Sequence, residues 1–152
     1  MIRVVFAVVA IFGLVMIAPA RVDADKDGEP KAAVEAYVAS LNSGDVEAAA
    51  KLVAEDVVIE GEEPGRDAFK ERSALQLEAR KADYTEWHFE LDRVIVSGDD
   101  VAARLILEVT LKNGKNATME CVMMATVEDG VFTWMATTVD AEDWFNVFML
   151  EG

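Results

Sequence analysis

Apolar residues recur along this chain in two different periods. Pro30 suits a helix start, and Val34, Tyr37, Val38 and Leu41 then return at three- and four-residue steps, one apolar helix face. Asn42-Ser43-Gly44 ends that helix, and Asp45 is a good cap for a second, running from Val46 to about Ala54 with Ala49, Leu52 and Val53 on its packing side. Val57-Val58-Ile59 reads as a short strand, Gly61 to Gly65 as a turn, and Asp67 to about Lys81 as a third helix with Phe69, Leu75 and Leu77 among its apolar positions. From Trp87 onward the period drops to two. Trp87, Phe89 and Leu91 alternate with His88, Glu90 and Asp92. Val101, Ala103, Leu105, Leu107, Val109 and Leu111 form a long alternating strand, and Ala117, Met119, Cys121, Met123, Ala125 and Val127 another. Turns at Ser97-Gly98-Asp99-Asp100, Asn113-Gly114 and Asp129-Gly130 separate them. Val131 to Val139 is a further strand, and Ala141 to Leu150 is apolar on one side and helical in pattern.

The register of the central hairpin follows from its charges. A two-residue Asn113-Gly114 loop would pair Lys112 with Lys115 and set Leu107 beside Glu120, mixing apolar and charged residues on one face. A three-residue loop, Lys112-Asn113-Gly114 with Gly114 left-handed, pairs Leu111 with Lys115. It aligns Leu107 with Met119, Leu105 with Cys121 and Ala103 with Met123, and one face becomes wholly apolar. The other carries Arg104, Glu108, Thr110, Thr118 and Glu120, with Ile106, Val122 and Met124 among them. The first face should meet the helices. The second suits a homodimer contact, since its apolar members otherwise stand in water. Helices first and strands after predict an α+β fold, a curved antiparallel sheet with about three N-terminal helices on its concave face and a short C-terminal helix.

The chain is 152 residues long, one domain's worth. Its start is set apart: Arg3 is the only charge before Arg21, Val4 to Ile17 is almost wholly apolar, and Ala18-Pro19-Ala20 follows. These features describe a secretory signal peptide over residues 1–20, with a second cleavage position after Ala24. The alternative is an uncleaved membrane anchor, for which the apolar run is short of the about 20 residues a span needs. Residues 21–29 read as an acidic linker and residues 30–152 as the folded domain. Within the linker, Asp23 to Gly28 resembles the opening of a calcium loop, but its twelfth position is Val34 where a bidentate Glu is required.

The net charge of −15 repels phosphate backbones and anionic lipid, so the sequence predicts no nucleic-acid partner. Cys121 is the only cysteine, which leaves no internal disulfide, and a periplasmic or secreted destination in a bacterium fits that. One His and one Cys without ligand spacing predict no metal site, and no cofactor motif is visible.

Ala36 to Asp45, followed by Leu52 to Asp56 and Val57-Val58-Ile59, resembles the opening of SnoaL-like and ketosteroid isomerase-like proteins of the nuclear transport factor 2-like superfamily. Gly65-Arg66-Asp67-Ala68-Phe69 resembles that family's third helix start, and the likeness extends over roughly Lys31 to Phe148. It implies a cone of helices and sheet that hosts isomerases, cyclases, dehydratases, epoxide hydrolases and binding modules. Ketosteroid isomerases carry a helix-one Tyr as oxyanion donor, which Tyr37 matches. Their base falls at Gly61, flanked by Glu60 and Glu62, and their second donor at Met123, or at Met124 if the register slips. A scytalone dehydratase-like site needs two His where only His88 exists. A limonene epoxide hydrolase-like site needs an Arg and an Asp two apart, where Arg104 is followed by Ile106.

Three functional readings follow. The first is binding of a small apolar molecule between helices and sheet, against Tyr37, Trp87, Leu105, Leu107, Met119, Met123 and Trp134, with Met supplying an adaptable surface. The second is an isomerase, cyclase or dehydratase with Tyr37 as donor and Asp140 or Glu60 as base. Asp140 equally suits a cap for the last helix, and Tyr37 an ordinary core position. The third is a dimeric interaction module with no ligand.

Overall fold

In a computed structural model, residues 28–139 are described. Their order is α1 (Gly28–Ser43), α2 (Val46–Lys51), β1 (Val53–Ile59), α3 (Arg66–Asp83), β2 (Tyr84–Ser97), β3 (Asp100–Leu111), β4 (Asn116–Glu128) and β5 (Val131–Val139). Asp140 and the helix expected from Ala141 lie outside the described residues, as do the leader and most of the linker. Helix α1 begins two residues before Pro30. It ends at Gly44, whose φ of 68° only glycine adopts without strain. Asp45 caps α2 as expected, its side chain accepting from the Ala48 amide at 2.9 Å. That helix stops at Lys51, before Ala54, because Val53 already pairs in the sheet.

The fold is α+β, with the helices ahead of a curved, unclosed sheet of order β1-β5-β4-β3-β2. The sequence predicts an antiparallel sheet. The four long strands obey this, but β1 runs parallel to β5, so the sheet is mixed. The parallel pair arises because the meander begins beyond α3 and returns its last strand between β4 and β1. The three-residue hairpin register holds, with Leu107 opposite Met119, Leu105 opposite Cys121 and Ala103 opposite Met123. The Leu111 amide donates to the Lys115 carbonyl at 2.8 Å, and Gly114 has φ 82°.

The main core joins Ala33, Val34 and Val38 of α1 to Val53, Val57, Ala103, Leu105, Met123 and Phe132 of the sheet, with Phe69 from α3. A second cluster, Leu107, Val109, Leu111 and Met119, fills the far end of the β3–β4 hairpin under Tyr84 and Trp87. Leu75 does not join either: it is 66% exposed, since α3 turns Phe69 and Leu77 toward the sheet and carries Leu75 away from them. The outer face carries Val122 and Met124, both about two-fifths exposed. Beside them Arg104 bridges Asp92 at 3.0 Å and Glu120 at 2.6 Å.

Candidate functional site

The apolar inner face of the sheet stands away from the helices between the two clusters. The gap is a cavity of about 520 Å³, a size suited to one small organic molecule. Its floor is sheet: Leu105, Leu107, Met119, Cys121, Met123 and Met135. Leu105 and Leu107 are alternate residues of β3, and Met119, Cys121 and Met123 of β4, so strand alternation accounts for an apolar floor. Its roof is the inward stripe of α3, where Arg72, Ser73, Gln76, Leu77 and Arg80 follow at helical spacing. Helix α1 adds Tyr37, Ser40 and Leu41, and β2 adds Tyr84, Trp87 and Phe89.

The cavity thus brings together Tyr37, Trp87, Leu105, Leu107, Met119 and Met123, all six of which the sequence places there. Trp134 is not in its wall. Between β4 and β5 the register shifts, Phe132 pairing with Val127 and Trp134 with Thr126. The extra residue, Thr133, turns Phe132 inward and Trp134 to the outer face. Glu60 lies at the wall beside Glu62, while Asp140 lies outside the described residues. His88 is exposed and pairs with Glu108, on the face away from the cavity.

Sequence reasoning missed the arginines. Arg72 and Arg80 are not among the residues that the apolar pattern of the third helix singles out, yet they lie three and eleven residues beyond Phe69, on the helix face that Phe69 turns inward. Arg72 sits over the Phe69 ring, 5.5 Å from its centroid, and pairs with Glu62. Its Nε–H is buried without an acceptor among the described residues. Arg80 covers the Trp87 ring at 4.5 Å and donates to the Leu41 carbonyl at 2.7 Å, which fixes the far end of the roof. Burial lowers both guanidinium pKa values from their ordinary range. Arginine stays charged nonetheless.

Tyr37 meets Phe132 edge-on at 5.6 Å and Phe69 at 6.4 Å. Burial pushes its hydroxyl pKa above the ordinary value, and the Arg72 charge offsets part of that rise. The hydroxyl therefore keeps its proton at neutral pH and can donate. Stability follows: above about pH 10 the unfolded chain releases a proton that the native state retains. The contribution of Tyr37 is intact below that pH and declines as pH rises past it. Urea midpoints measured at about pH 8 and pH 11 should fall further for the native sequence than for Tyr37→Phe. Equal falls would show that Tyr37 ionises freely.

No helix among the described residues is long and apolar enough to cross a membrane, and no group of three or more metal-binding side chains occurs among them.

Comparison by sequence with curated proteins finds no match. Comparison of structures finds many. A SnoaL-like polyketide cyclase from Agrobacterium tumefaciens superposes with a TM-score of 0.64 at 20% identity, over 78% of this chain and 97% of that one. A limonene epoxide hydrolase-like enzyme from Mycobacterium tuberculosis gives 0.63 at 19%, over 82% and 92%. A nuclear transport factor 2-like protein from Burkholderia pseudomallei gives 0.63 at 18%, over 78% and 95%. At these identities the likeness is one of fold. The family model for the SnoaL-like domain matches residues 34–135, from α1 to the middle of β5. That match covers about two thirds of the sequence, and the chain belongs to the SnoaL-like domain family, within the nuclear transport factor 2-like superfamily.

Proposed function

We propose that this protein binds a small, mainly apolar molecule in the cavity between its helices and sheet, and that it does so after export. The observation that carries the reading is the cavity itself: an apolar floor of Leu, Met and Cys left open beneath α3, where a solid core would have filled it. Polar and charged groups stand around that floor, among them Tyr37, Glu60 and Arg72, and such groups orient a molecule that an apolar surface holds.

A second reading has one observation in its favour. Tyr37, a protonated donor, and Glu60, a carboxylate, share the cavity wall, so a proton could be moved on a bound substrate. Glu62, also in the wall, is already paired to Arg72. Export rests on the leader at residues 1–20, with an uncleaved anchor as its alternative. A homodimer through Val122, Met124 and Ile106 of the outer face would cover apolar side chains that otherwise face water.

Mass spectrometry of the full chain expressed in a bacterial host, native and then denatured, tests these together. The expected result is a mature form cut after Ala20 or Ala24, twice that mass in the native spectrum, and a small molecule lost on denaturation. A protein that is empty, and that also takes up no phenylnaphthylamine when the dye is added, would overturn the binding reading. An uncut leader would overturn cleavage alone, and a native monomer would overturn the dimer alone.

A further inference from the structure

Two residues of the cavity wall, Arg72 and Trp87, each hold a buried N–H that has no acceptor among the described residues. Arg72 spends one end of its guanidinium on Glu62 and leaves Nε–H buried with no acceptor among the described residues. An unmet buried donor is costly, and a charged one more so. Tyr37, close enough to feel the Arg72 charge, holds its proton and adds a second donor. The Arg72 guanidinium also lies over the Phe69 ring, 5.5 Å from its centroid, a contact that helps to hold it in place before any ligand arrives. Glu62 is a replaceable partner: its side chain is 36% exposed and sits on the turn between β1 and α3, so water can take over its solvation. What the site lacks is an acceptor brought from outside.

The carboxylates around the cavity say which acceptor. Asp45, Glu60, Glu62 and Asp83 lie in its wall, against Arg72 and Arg80. Arg80 is already spent on Trp87 and Leu41, and the chain as a whole carries −15. A permanent anion would approach against that field, whereas an uncharged oxygen would not. We propose that Arg72, by exchange with Glu62, is the specificity-determining residue of this cavity and selects apolar ligands that carry an uncharged acceptor oxygen. This rests on the cavity being a ligand site, and the test separates the two claims.

Two naphthalene fluorophores serve as probes. Phenylnaphthylamine has no oxygen. Prodan has one ketone, and its emission moves to the red when that oxygen accepts a hydrogen bond. Both are expected to bind the full chain and to displace each other. Arg72→Met should weaken prodan by about tenfold or more, as losing a hydrogen bond to a charged group implies, and shift its bound emission to the blue. Phenylnaphthylamine should change by less than about threefold. Glu62→Gln, which leaves the helix roof intact, frees the guanidinium and should tighten prodan binding, so the proposal stays testable if Arg72→Met folds poorly. Arg104→Met, on the outer face, should alter neither probe. Anilinonaphthalenesulfonate, the same skeleton as phenylnaphthylamine with a permanent anion, should bind more weakly than phenylnaphthylamine at low ionic strength. Equal losses of both probes in Arg72→Met, or unchanged prodan affinity in Glu62→Gln, would overturn the role of Arg72. Tighter binding of the sulfonate would overturn the choice of an uncharged oxygen. Failure of phenylnaphthylamine to bind the native sequence would instead remove the cavity reading beneath it.

Discussion

Replacing Phe132 by alanine is expected to lower the free energy of unfolding by about 3–5 kcal/mol. The ring is fully buried where β1, β5 and α1 meet. It pairs across the sheet with Val53 on one side and Val127 on the other, and the Tyr37 ring meets its edge at 5.6 Å. Truncation removes the transfer energy of the ring and the aromatic contact, and leaves a void that strands on both sides cannot close. The backbone is spared: the Phe132 amide still donates to the Leu52 carbonyl, 2.8 Å away. Urea unfolding should therefore show a lower midpoint with the slope unchanged. A domain of this size has only about 5–15 kcal/mol to lose. Leu75→Ala, on the solvent side of α3, should move the midpoint by no more than about 0.5 kcal/mol. A loss below about 1 kcal/mol for Phe132→Ala would mean that the ring is not at the junction described.

Asn42→Leu should cost about 2–4 kcal/mol, a large effect for a polar residue beside a helix end. Its side-chain amide donates to the Phe89 carbonyl at 2.8 Å, and its side-chain oxygen accepts from the Phe89 amide at 2.7 Å. Strand β2 is the edge of the sheet, and at Phe89 its free backbone groups would have no partner there but for this one side chain. Leucine would cover both groups and satisfy neither, the costly arrangement for buried polar atoms. Asn42→Asp, which keeps the acceptor and loses the donor, should fall between leucine and the native residue. Hydrogen exchange at the Phe89 amide reports the effect directly. It should quicken in Asn42→Leu well beyond the change at Leu107, in the neighbouring strand. Uniform quickening across the sheet would show that the loss is not local.

Asn42 also shows what a sequence can and cannot tell. Read alone, Asn42-Ser43-Gly44 is a helix stop, and it is one. That its side chain then closes a sheet edge 47 residues away is a tertiary fact without a local signal. The hairpin register was legible because a wrong pairing would have set Leu107 against Glu120, a conflict of burial that sequence displays. Trp134 was not legible for the opposite reason. Its position follows from an extra residue at Thr133, and an alternation rule has no means of placing a bulge. A similar shift between Leu91 and Arg93 moves the inward positions of β2 to Val94 and Val96. The roof of the cavity was the hardest part to read. A helix over a void can present Arg72, Gln76 and Arg80 inward, a pattern that over a filled core would mean the solvent side. The floor gave itself away because its residues had to be apolar in either case.

The central claim, a molecule held between helix roof and sheet floor, is tested most directly by methyl NMR on methionine-labelled protein titrated with phenylnaphthylamine. Met119, Met123 and Met135 line the cavity, while Met124, next in sequence to Met123, points out of the opposite face. The account predicts saturable shifts at the three inner methyls and none at Met124. Shifts at Met124 with the inner three unmoved would contradict it.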